Sequence, residues 1–124
     1  MTQRILVVED TYDNRQILRD LLTSAGFEFL EAVDGEKGVQ MAATCRPDLI
    51  LMDIQLPGLD GFAAIGKIKG DLELKDIPVI GVSSHANSDD AAKALQAGFS
   101  AYVTKPFSPR ALLARVRELL SNEG

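Results

Sequence analysis

A chain of 124 residues, 46% hydrophobic and 25% charged, fits one soluble globular domain with a real apolar core. Its formal charge of −5 argues against non-specific binding to nucleic acid or anionic membranes, which needs clustered Lys and Arg. The single cysteine, Cys45, rules out an internal disulfide and fits a cytoplasmic setting; no apolar run reaches membrane-spanning length, and the first is too short for a signal peptide.

In chain order, the first apolar run, Ile5–Val8, reads as a strand that delivers Glu9 and Asp10 at its end. Ile17, Leu18, Leu21, Leu22 and Ala25 then follow helical spacing, with Gly26 placed to end the helix. A weaker strand is predicted over Phe27–Leu30 and a short helix over Gly35–Thr44, after which Cys45 before Arg46-Pro47 reads as incidental. Leu49–Met52 is a third strand, and it runs straight into a carboxylate, Asp53, ahead of a Pro-Gly loop. A helix over Phe62–Lys69, a strand over Val79–Val82 and a helix over Asp89–Ala97, ended by Gly98, come next. Ala101–Val103 is a weak last strand. Ser108 then reads as an N-cap with Pro109 at the first helical position, and Leu112, Leu113, Val116, Leu119 and Leu120 mark the final helix.

Near-continuous apolar strands alternating with helices imply an α/β fold with a parallel sheet, right-handed crossovers and a helix layer on each face. No linker, repeat or low-complexity tract divides the chain, so residues 1–124 read as a single domain.

Open parallel sheets bind ligands beyond the carboxyl ends of their strands. Those ends carry Glu9 and Asp10, then Asp53, then Ser83-Ser84, then Thr104-Lys105-Pro106. Two unit charges ~5 Å apart repel by about 3 kcal/mol at an effective dielectric of 20. Three acids gathered there must therefore raise their pKa values or hold a cation, and Lys105 supplies only one charge. A hard divalent cation such as Mg2+ fits better, since it takes one or two carboxylates and keeps waters for a phosphate. A carboxylate beside such a cation is able to act as nucleophile toward a phosphoryl group and form an aspartyl phosphate, with Lys105 and Ser83 balancing or binding the phosphoryl oxygens.

The stretches ILVVED, DLILMDIQLPGLDG, IPVIGVSS and AYVTKPF, in that order and spacing, resemble the receiver domain of bacterial two-component response regulators from about Arg4 to Leu120. The resemblance implies a flavodoxin-like, doubly wound, five-stranded parallel sheet in the order 2-1-3-4-5 with five helices, the order known for the chemotaxis regulator of that family. It also implies a cytoplasmic phosphorelay protein that takes a phosphoryl group from a sensor histidine kinase or a histidine phosphotransfer protein. Such a protein is no enzyme beyond its own phosphorylation and dephosphorylation.

By the same resemblance Asp53 is the phosphoryl acceptor; Asp10 binds Mg2+ directly, Glu9 helps directly or through water, and Asp53 and the backbone carbonyl of Gln55 complete the ligands. Lys105 contacts the phosphoryl group, next to a Lys105–Pro106 bond expected to be cis. Ser83 and Tyr102 form the switch pair, which changes the face of the fourth helix, fifth strand and fifth helix toward a downstream protein target. Asn14, Arg15 and Leu18 on the first helix are the expected docking residues for the phosphoryl donor. Ser83-Ser84 and Gly81 depart from the commoner Thr-Ala and Ala, and Gln55 and His85 stand where the family varies and tunes phosphoryl lifetime. The charged residues Arg110, Arg115, Arg117 and Glu118 read as a solvated face.

Other functions fit less well. Gly61 to Lys67 nearly spells a phosphate-binding loop, but Ile68 replaces the required Ser or Thr. Gly81-Val82-Ser83 lacks the second glycine of a hydrolase elbow. Glu9 and Asp10 would repel a flavin phosphate. Two alternatives remain: an aspartyl-phosphate phosphatase, disfavoured because Gln55 stands where its general acid belongs, and a receiver-like binding module that works without phosphorylation.

Overall fold

The computed structural model describes residues 2–56, 58–84 and 88–123 of the chain. Ten elements alternate: β1 (Arg4–Val8), α1 (Tyr12–Ser24), β2 (Glu28–Ala32), α2 (Gly35–Cys45), β3 (Leu49–Asp53), α3 (Gly61–Lys69), β4 (Val79–Ser83), α4 (Ser88–Ala97), β5 (Ala101–Thr104) and α5 (Pro109–Glu123). The strands form one parallel sheet in the order β2-β1-β3-β4-β5. This is the doubly wound arrangement expected from the sequence.

Strand alternation builds two separate cores on the two faces of the sheet. Ile5, Val7, Leu49, Leu51, Ile80 and Val82 meet Leu18 and Leu22 of α1 and Leu112, Val116 and Leu120 of α5. Leu6, Val8, Ile50 and Met52 meet Ala42, Ala64, Ile65, Ile68 and Ala94 from α2, α3 and α4. The central strands β3 and β4 are buried along their whole length, which is why their sequences carry no polar alternation.

Helix ends follow local chemistry. Asp34 and Asp60 cap α2 and α3, their Oδ1 atoms accepting from Lys37 N at 2.8 Å and Ala63 N at 2.9 Å. Ser108 caps α5 as expected, its Oγ accepting from Ala111 N at 3.3 Å. Gly26, at φ 93°, supplies the left-handed turn after α1.

Three readings shift. The second strand runs Glu28–Ala32 and not Phe27–Leu30, because its pairing with β1 sets its bounds while Glu28 and Glu31 break its apolar pattern. Ile17 is 56% exposed, so the inward stripe of α1 is Arg15, Leu18 and Leu22. Of the three residues expected to dock the phosphoryl donor, Arg15 and Leu18 are buried, at 8% and 5% exposure, and Asn14 is half-buried.

Candidate functional site

The parallel register brings the carboxyl ends of β1, β3, β4 and β5 together. The ladder continues one residue past the strands: Ile54 N donates to Val82 O at 2.9 Å, and Lys105 N donates to Ser83 O at 2.7 Å. Those bonds hold the loop after Asp53 and the lysine-bearing loop against the end of β4. The Lys105–Pro106 bond is cis, as the resemblance implied.

Asp53 ends β3 and is only 6% exposed; Glu9 is 2% exposed and Ser83 1%, whereas Asp10 faces solvent. Carboxylate oxygens of Glu9, Asp10 and Asp53 lie within 4.8 Å of one another. Lys105 Nζ donates to Glu9 Oε1 at 3.0 Å and to Asp53 Oδ2 at 2.8 Å. That ammonium pairs with two of the three acids, leaving an excess of negative charge among hard oxygen donors. That donor set suits Mg2+ in number, chemistry and charge, with Asp10 open to water.

The electrostatics carry the same message. Burial pushes the Glu9 carboxyl up to about 7, and Asp53 beside it adds to the effect; Asn14 and Lys105 pull in the opposite direction. For Lys105, burial works against the charged ammonium, but its bonds to Asp53 and Glu9 outweigh that and raise its pKa.

Asp53 Oδ1 accepts from Gln55 N at 2.8 Å. The Gln55 side chain then crosses to β4: its Nε2 donates to Ser83 Oγ at 2.8 Å, and its Oε1 accepts from Ser84 N at 3.2 Å. Sequence reasoning gave Gln55 a backbone carbonyl role and a place that tunes phosphoryl lifetime, but not this side-chain bridge, which spans 28 residues that no local pattern links.

Two residues of α1 reach the site. Asn14 Nδ2 donates to Glu9 Oε1 at 2.6 Å, and Arg15 Nη1 donates to Glu9 O at 2.9 Å. Sequence reasoning placed both on a docking surface. The available signal was the helical spacing of Arg15 with Leu18 and Leu22, which turns Arg15 toward the sheet.

Tyr102 is half-buried and packs against the core on the α2–α4 side of the sheet. Arg110, Arg115, Arg117 and Glu118 are exposed on α5, in line with a solvated face. His85 lies outside the described residues. Cys45 is a free, half-buried thiol whose carbonyl accepts from the Arg4 guanidinium. A groove of about 380 Å³ adjoins the acids, lined by Asp53, Lys105, Asn14, Leu18, Val82 and Phe107. No helix among the described residues is long and apolar enough to cross a membrane.

Residues 5–117 match the family model of the response regulator receiver domain. The polar-differentiation response regulator DivK of Brucella ovis is 36% identical over 122 residues, covering 98% of this chain and 99% of DivK. The response regulator PleD of Caulobacter vibrioides is 40% identical over 119 residues, 96% of this chain, which spans only 26% of PleD. Among solved structures, the receiver domain of a sensor histidine kinase from Pseudomonas aeruginosa, with a magnesium ion coordinated in its active-site cleft, superposes with a TM-score of 0.90. It is 33% identical, over 98% of this chain and 99% of that one. A CheY-like receiver domain protein from Methanospirillum hungatei gives a TM-score of 0.91 at 28% identity, covering 100% of both chains. A strand-end acid cluster bridged by one lysine, on this topology and with these relatives, has one interpretation: the chain belongs to the response regulator receiver domain family, the phospho-accepting module of two-component signalling.

Proposed function

We propose that Asp53 accepts a phosphoryl group from a phosphohistidine on a sensor kinase or phosphotransfer protein, and that residues 1–124 act as one receiver unit. The observation that carries the reading is the bond from Lys105 to both Asp53 and Glu9 inside the acid cluster. An Asp53 carboxylate oxygen attacks phosphorus, the P–N bond to the imidazole breaks, and the departing imidazole nitrogen takes up a proton. The Lys105 ammonium faces the charge that collects on the phosphoryl oxygens. Ser83 Oγ accepts from Gln55 at the end of β4, and we assign the Ser83 hydroxyl a bond to a phosphoryl oxygen once Asp53 carries the group.

Mg2+ would be held by Glu9, Asp10, Asp53 and the Gln55 carbonyl, and when bound it supplies charge neutralisation for the phosphoryl oxygens. Gln55 carries no carboxyl to protonate a leaving group, so the site acts on its own acyl phosphate and does not turn over small phosphoesters. Hydrolysis of that bond by water returns the carboxylate and resets the domain.

Capture of the phosphoryl group by Ser83, together with inward movement of Tyr102, shifts the population of the face built by α4, β5 and α5. We assign that face to the downstream protein target; Leu95 on α4 is 54% exposed. Transfer from a purified phosphohistidine donor tests the proposal: wild type should gain label in the presence of Mg2+, and Asp53→Asn should gain none. Equal labelling of the two proteins would overturn it.

A further inference from the structure

We infer that Asn14 and Arg15 are positioning residues for the metal-binding carboxylates, acting through Glu9 from the first turn of α1. The inference rests on the proposed role of Glu9, Asp10 and Asp53 as magnesium ligands. Asn14 holds the side chain of Glu9, donating to its Oε1 at 2.6 Å. Arg15 holds the main chain of the same residue, donating to its carbonyl oxygen at 2.9 Å. Glu9 is thereby gripped at both ends. Its Oε2 in turn accepts from Asp10 N at 3.1 Å, which ties the two consecutive acids into one turn.

Arg15 is suited to this task by where it sits. It lies on the inward stripe of α1, is 8% exposed, and its Nε also donates to Glu31 Oε1 at 3.3 Å on the edge strand β2. A guanidinium near a cation site would repel the cation if left alone. Glu31 balances that charge, so the bond to the Glu9 carbonyl carries the effect. A glutamate has three rotatable side-chain bonds, and a ligand already fixed before the ion arrives binds it more tightly than one fixed on arrival.

The experiment is calorimetric titration of the whole chain with MgCl2, alongside thermal unfolding in chelator. Wild type should show one saturable site. Asn14→Ala and Arg15→Met should each weaken Mg2+ at least threefold, and Arg15→Lys should recover part of the loss. In a Glu9→Ala background Asn14→Ala should change nothing further. A purely structural role would lower the melting temperature in chelator and leave the dissociation constant of the folded protein alone, which would overturn the inference. Tighter binding by either variant would also overturn it, since the bonds would then be competing with the metal. If Arg15→Met does not fold, Asn14→Ala, at a half-buried position, decides the matter. Absence of saturable binding to wild type would overturn the metal reading itself, a failure distinct from equal binding by wild type and variants.

Discussion

Magnesium affinity should depend steeply on pH in the range where an ordinary glutamate does not titrate. Glu9 has its pKa raised from 4.5 to about 7, first by burial and then by Asp53. A metal ligand must be deprotonated, so Mg2+ competes with that proton. With a pKa of about 7, roughly a tenth of Glu9 is charged at pH 6 and roughly nine tenths at pH 8, so affinity should rise about tenfold between them. The stability of the metal-free protein should follow the opposite sign. The folded state holds the Glu9 proton more tightly than the unfolded chain does. The resulting stabilisation is complete below about pH 4.5 and is lost as pH rises through about 7. Calorimetric titrations at several pH values, in two buffers of different ionisation enthalpy, measure both the affinity and the protons released. A dissociation constant that stays flat from pH 6 to 8, with no proton release, would refute the reasoning.

Three further outcomes are expected. Gly61→Ala should lower stability by about 2 kcal/mol, because an added Cβ would meet Ile54 Cα at 2.7 Å and Asp53 O at 3.0 Å, all backbone that cannot swing aside; denaturant unfolding measures it. Asp34→Ala removes the cap of α2 and should cost about 1 kcal/mol in the same assay, without altering phosphorylation. Lys105→Met leaves Asp53 and Glu9 facing each other without their shared cation and should slow phosphoryl uptake roughly tenfold or more in a timed labelling assay.

The site's cast was legible because parallel strands end where their apolar runs end. Leu49–Met52 pointed to Asp53, and Ile5–Val8 to Glu9 and Asp10, so strand periodicity and one topological rule were enough to bring the acids together. The order of the strands was a different matter. Nothing in the composition of any strand says which neighbour it takes, and that reading came from the resemblance. What the sequence concealed was long-range side-chain pairing. Gln55 reaching Ser83 and Ser84 depends on the register of β3 against β4, which places Asp53 beside Val82. The inward turn of Arg15 was masked by its charge. An arginine on an apolar stripe reads as surface until a buried carbonyl and a carboxylate are found to meet it. Ile17 was the converse case, an apolar residue at helical spacing that the rotation of α1 leaves outside.

The most direct measurement of the central claim, that Asp53 is a magnesium-dependent phosphoryl acceptor, is intact mass after incubation with acetyl phosphate. Wild type and Asp53→Asn are compared with Mg2+ and with chelator. The account predicts a gain of one phosphoryl group in wild type with Mg2+ and in no other sample. A gain in Asp53→Asn, or an equal gain in chelator, would contradict it.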